Sequence, residues 1–206
     1  MPENASKHKF LSVTIGTQEW MIENLSIECF RNGNIITEVK TKEEWEKAGQ
    51  KCQPAWCFYG NNQINGQKYG KLYNGFAVID PRGLAPEGWH IPTFAEWQTL
   101  INFLGGFVKA GTKMKSINGW KDINGVFGNG SDLSGFNALP GGYCNKYGSS
   151  CHILDNGYWW SSTKHITDIS FLSNCLRSYS LNFRNGFAIQ CINNKTEGLS
   201  IRCIMD

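Results

Sequence analysis

The chain predicts an α+β fold of short elements joined by extensive packed loop, and three observations predict it. Two capped helix starts, "TKEEWEKAGQ" and "TFAEWQTLINFLGG", stand apart in a glycine-rich chain. Short alternating or β-rich runs gather at both ends: "FLSVTIGTQEWMIENL" first, then "YWWSST", "RSYSLNF", "GFAIQCI" and "LSIRCIMD". With 23 Gly, 8 Trp and only 18% charged residues in 206, the composition is that of a compact fold with many turns.

Taken in order, residues 1–11 read as an N-terminal tail and residues 12–206 as one domain. The first alternating run turns at Gly16-Thr17 and reads as a hairpin. Thr41 and Glu44 make a capping box, because their side-chain oxygens can accept from free amides of the first turn; Gly49 closes that short helix. Thr93 and Glu96 repeat the device. Phe94, Trp97, Leu100, Ile101 and Leu104 then form one apolar stripe, ended by Gly105-Gly106. Residues 107–157 read as long loop with scraps of strand, packed through Trp120, Phe127, Phe136 and Leu139. In "SYSLNF", alternation sends Tyr179, Leu181 and Phe183 to one side and Ser178, Ser180 and Asn182 to the other; one side must be core.

A net charge of +3 with thinly spread Lys and Arg argues against nucleic acid as a partner. No apolar run approaches the ~20 residues of a bilayer span, so no transmembrane segment is expected. The opening "MPENASKHKF" has no signal-type apolar region. Eight cysteines, an even count, favour an oxidising extracellular or cell-surface location over eight reduced, buried thiols. Cys144 and Cys151 close a short Gly-rich loop and are a candidate disulfide. No C-x-x-C pair exists, and His8, His90, His152 and His165 do not fall at zinc spacing, so no metal site is expected. Asp132 in "NGSD" is a candidate calcium carboxylate, set against the plainer reading of a solvated turn acid. There is no P-loop, H-E-x-x-H or G-x-S-x-G, and no catalytic residue or cofactor is predicted.

The stretches "YGKLYNGFAVIDPRGLAPEGWHIPTFAEWQTLINFLGG", "AGTKMKS", "SGFNALPGGY", "GYWWSST" and "GLSIRC" occur in that order. Together they resemble the Fibrobacter succinogenes major paralogous domain, common in Bacteroidetes and Fibrobacteres, over roughly residues 12–206. The resemblance implies a C-type lectin-like fold, akin to formylglycine-generating enzymes and to the variable proteins of diversity-generating retroelements. It implies two short helices, small antiparallel sheets and a ligand face between Ser162 and Gly198. The implied function is non-enzymatic binding of a protein or glycan by an adhesin-like domain on a bacterial surface, pilus tip or phage tail. The calcium-lectin triplets are missing, so calcium-mediated sugar binding is not implied. Cys57 and Cys203 both lie in family-like stretches and are implied to meet in the core, bonded or free.

Within that face, the candidate ligand residues begin with His165, Thr167, Asp168, Ser170, Phe171 and Asn174. Arg177, Tyr179, Asn182, Arg184 and Asn185 follow, then Phe187, Gln190, Asn193 and Asn194. Tyr and Arg give large contacts at low ordering cost, and Asn and Ser give adaptable hydrogen bonds. Two alternatives stand beside this reading: an enzyme of the formylglycine-generating type with Cys191 or Cys203 reactive, and a structural assembly subunit.

Overall fold

The computed structural model describes residues 10–123, 125–165 and 174–206. The chain begins with β1 (Ser12–Ile15), β2 (Gln18–Met21), β3 (Thr37–Glu38), α1 (Lys42–Gln50) and β4 (Ala55–Cys57). It continues through α2 (Gln63–Tyr69), β5 (Leu72–Asn74), α3 (Gly75–Val78), β6 (Trp89–His90), α4 (Phe94–Phe103) and α5 (Phe107–Met114). Four two-residue strands follow: β7 (Asp122–Ile123), β8 (Val126–Phe127), β9 (Tyr143–Cys144) and β10 (Ser150–Cys151). The last elements are β11 (Asn156–Lys164), β12 (Cys175–Asn182), β13 (Ala188–Asn194), β14 (Gly198–Leu199) and β15 (Ile204–Met205).

The α+β class is as predicted. Both capping boxes form: Thr41 accepts from the Glu44 amide and Thr93 from the Glu96 amide, with each glutamate reaching back to its cap. The first hairpin turns at Gly16, whose φ of 65° suits glycine. The expected pair of helices is too few, since α2, α3 and α5 are also helical. Residues 107–114, expected as loop, form α5 because Ala110, Gly111 and Met114 all face inward at helical spacing.

Three sheets carry the fold, with the small β7–β8 hairpin beside them. The first has strand order β1-β2-β15-β6, the second β10-β9-β14-β5-β4-β3, and the third β11-β12-β13. Residues 198–206 therefore feed two sheets, β14 between β9 and β5 and β15 between β2 and β6. Trp159 and Trp160, neighbours in β11, point to opposite faces and enter different cores. One core packs Trp159, Tyr179 and Leu181 against Trp97 and Leu100 of α4. The other joins Trp160 and Leu176 to Trp56, Tyr73, Leu199 and Cys203. Trp20, Trp97, Trp159 and Trp160 are completely buried. At ~25 cal/mol per Å² over ~150–250 Å², each contributes on the order of 4–6 kcal/mol before entropy is charged.

Arg202 joins the N- and C-terminal regions. It is fully buried, and its guanidinium donates to Asn24 Oδ1 at 3.2 and 2.9 Å, to the Met21 carbonyl at 3.2 Å and to the Phe136 carbonyl. Burial lowers its pKa to about 9. The same Asn24 oxygen accepts from Trp159 Nε1 at 2.9 Å.

Both predicted cysteine pairings are corrected, and all eight thiols are free. Cys144 stands opposite Ser150 and Cys151 opposite Tyr143, so the two thiols leave opposite faces of their hairpin. Cys57 and Cys203 lie in separate cores.

Candidate functional site

The three-stranded sheet β11-β12-β13 has two unlike faces. On one, Tyr179, Leu181 and Trp159 join the helical core. Tyr179 is 2% exposed, stacks 5.1 Å from Trp97 and 6.0 Å from Phe94, and its hydroxyl accepts from Gln98 at 2.6 Å. It is a core residue, which corrects its assignment as a ligand contact. Burial pushes its phenol up to about 12.

The other face carries Asn156, Tyr158 and Trp160 from β11, Leu176, Ser178, Ser180 and Asn182 from β12, and Ile189, Cys191 and Asn193 from β13. Trp160 and Leu176 make its buried end. Ser178 and Ser180 are buried beside them, while Asn156, Tyr158, Asn182, Cys191 and Asn193 are partly exposed and Ile189 is exposed; the polar groups of the face are tied to one another. Asn182 donates to Asn156 Oδ1 at 2.6 Å, and Asn156 donates to the Tyr158 hydroxyl at 2.6 Å. Ser178 donates to Asn193 Oδ1 at 2.5 Å, and Asn193 donates to Glu197 Oε2 at 2.9 Å. Ser180 Oγ lies 3.2 Å from Cys191 Sγ. These bonds hold the side chains in fixed rotamers and lower the ordering cost of binding.

An aromatic corner stands beside this surface, supplied by the stretch expected to be only packed loop. Tyr143 of β9 meets Tyr158 edge-on at 5.1 Å, and His152 lies 5.5 Å from Tyr143. His152 Nδ1 is 3.3 Å from the Tyr158 hydroxyl. Its φ of 63° is a left-handed conformation that side chains rarely adopt, held in the β10–β11 connection. Burial raises the Tyr143 phenol to about 12, helped by the Cys151 thiol and the Glu197 carboxylate. Burial also raises Tyr158 and Cys191, against the hydrogen bonds from Asn156 and Ser180. The phenols and the Cys191 thiol therefore stay neutral at physiological pH.

The predicted site residues divide between this surface and other places. Asn182 and Asn193 are on it. Arg177, Gln190 and Asn194 belong to the opposite face, where the Arg177 guanidinium lies 4.4 Å over the Phe94 ring. Asn194 Oδ1 accepts from the Thr196 amide and hydroxyl and, at 3.5 Å, from Asn174, so both asparagines shape a turn. Arg184, Asn185 and Phe187 form the β12–β13 turn; Phe187 packs edge-on to Phe107 at 5.8 Å. The His165 amide donates to the Cys175 carbonyl at 3.1 Å. Thr167, Asp168, Ser170 and Phe171 lie outside the described residues. Asp132 Oδ1 accepts from the Asn137 amide at 2.7 Å, the turn role set against calcium binding.

Sequence reasoning missed Tyr143, His152, Tyr158, Asn156 and Glu197. The available signal was the period of β11, which puts Tyr158 on the face of Trp160 and opposite Ser180.

No curated protein and no solved structure matches the chain. A family model described as the Fibrobacter succinogenes major domain matches residues 13–205. Matched over nearly its whole length, the chain belongs to that family.

Proposed function

We propose that the domain is a non-enzymatic recognition module, displayed on a bacterial surface, pilus tip or phage tail. It binds a protein or glycan on the polar face of its C-terminal sheet. The observation that carries this reading is the pre-bonded surface of Asn156, Asn182, Asn193 and Glu197 beside the rings of Tyr143, His152 and Tyr158. Aromatic faces supply contact area and fixed carboxamides supply direction. The carboxamides do not ionise and burial keeps the phenols of Tyr143 and Tyr158 neutral, which suits hydroxyl- and amide-bearing ligands.

The thiol chemistry supports binding over a cysteine enzyme. Burial raises the Cys191 thiol and takes Cys203 up to about 12, so neither is a nucleophilic thiolate at neutral pH.

The test immobilises the protein and screens it against a glycan array and, separately, against solubilised surface proteins. A triple variant, His152→Ala, Tyr158→Phe and Ile189→Ala, alters the proposed face. A control carries Arg184→Ala, Gln190→Ala and Ile192→Ala on the turn and opposite face. Binding should fall at least about tenfold, roughly 1.4 kcal/mol, in the first variant and stay unchanged in the control. Loss confined to the control would move recognition to the other face, and no binding in either screen would remove the proposal's basis.

A further inference from the structure

Cys57 and Cys144 come from distant parts of the chain, yet they are buried in one small core and line one void. They stand on β4 and β9 of the six-stranded sheet, with β14 and β5 between them. The register puts both on one face: Cys57 opposes Leu72, and Cys144 opposes Gly198, which opposes Asn74. Two features bring the sulfurs together across those strands. The sheet curls, so Cys57, Leu72 and Cys144 share one small core with Val39 and Trp45. Gly198 between them has no side chain; an added Cβ would lie 3.1 Å from Cys144 Cβ and 2.7 Å from the Trp45 ring. Both thiols line one void of about 10 Å³, bordered also by Trp45, Phe58 and Ser150. That void leaves the sulfurs room to adjust.

We infer that Cys57 and Cys144 are a cross-linking site, joined as a disulfide when the chain folds under oxidising conditions. The bond ties β4 to β9 and closes the curled sheet. It also fixes β9, whose neighbouring residue Tyr143 leaves the opposite face of the hairpin. The other cysteines are placed differently: Cys29 and Cys52 are exposed, Cys151 leaves the far face of its hairpin, Cys175 and Cys191 are on β12 and β13 of the three-stranded sheet, and Cys203 is in another core.

The step uses a small-molecule disulfide, such as oxidised glutathione, as oxidant. One cysteine thiolate attacks a sulfur of the oxidant, expelling one glutathione thiolate and leaving a mixed disulfide. The second cysteine thiolate attacks the protein sulfur of that mixed disulfide and expels the other. The protein loses two protons and two electrons; the oxidant leaves as two thiols. Exposure of 4% at Cys57 and 2% at Cys144 shields both from reagents in the folded state. The neighbouring Cys144 thiol and burial also hold the Cys57 thiol well above its ordinary value. The bond therefore forms during folding, and its presence records the conditions in which the chain folded.

The test refolds reduced, denatured protein in two buffers, one with an oxidised glutathione mixture and one fully reducing. Thiols are then alkylated in denaturant and the digest is mapped. A linked peptide containing Cys57 and Cys144 is expected only from the oxidising arm. Closing a loop of roughly 90 residues should raise Tm by about 10 °C. Cys57→Ala and Cys144→Ala should each erase that difference, and Cys151→Ala should keep it. Mapping of the unaltered chain decides the matter even if a variant fails to fold. Eight alkylated thiols in the oxidising arm, a link joining other cysteines, or a linked form with unchanged Tm would each overturn the proposal.

Discussion

Two buried or half-buried side chains set the clearest expectations at the scale of single residues. Arg202 holds Asn24 and two carbonyls from separate parts of the chain. Arg202→Lys keeps a charge but offers one compact head where a fork is needed. It should lower stability by about 3 kcal/mol in urea unfolding, because acceptors are left dry and unpaired. His90 sits between Glu96 and Asp206, with 2.7 Å contacts to each. Burial disfavours its charge, but the hydrogen bonds to the two carboxylates outweigh burial and raise its pKa. The stabilisation from a raised His is full below the unfolded value near ~6.5 and is lost as pH climbs through the folded value. His90→Gln should therefore lower Tm more at pH 6 than at pH 9; an equal loss at both would show that charge plays no part. The capping threonines were legible because each partner lies three positions on. The Arg202–Asn24 contact was not, since its two residues are 178 positions apart.

At the scale of elements, glycine placement separates what could be read from what could not. "GGFVKAGTKM" looks like loop because of its three glycines, yet Phe107–Met114 is helical. Gly111 sits where α5 meets the β12–β13 turn, and an added Cβ would lie 2.6 Å from the Gly186 carbonyl oxygen. Gly111→Ala gains ~1 kcal/mol of helix propensity but forces two backbones apart. The net effect should be a loss of about 2 kcal/mol, seen as a lower urea midpoint with unchanged slope. The terminal strands were legible from alternation alone. Which face they buried was not, because the helix that covers Tyr179 comes from α4, far upstream. For the same reason the candidate surface was only half foreseen. Asn182 and Asn193 lie in the expected stretch, but Tyr143 and His152 arrive from β9 and the β10–β11 connection.

For the whole molecule, the last strands close what the first ones open. β15 pairs with both β2 and β6, and β14 with both β9 and β5. Deleting residues 198–206 should abolish cooperative unfolding, with loss of near-ultraviolet dichroism and binding of a hydrophobic dye. A deletion that still melts cooperatively would show that these strands only decorate a finished core. No local pattern in the chain announces this closure, because strand order belongs to packing and not to periodicity. The Arg202–Asn24 contact has a consequence for synthesis. At ~5–20 residues per second, a ribosome needs roughly 10–35 s to travel from Asn24 to Arg202. For that interval the nascent hairpin carrying Trp20 and Met21 lacks the strand that later covers it. Each pause of translation in between lengthens its exposure to holding factors, proteases and neighbouring nascent chains.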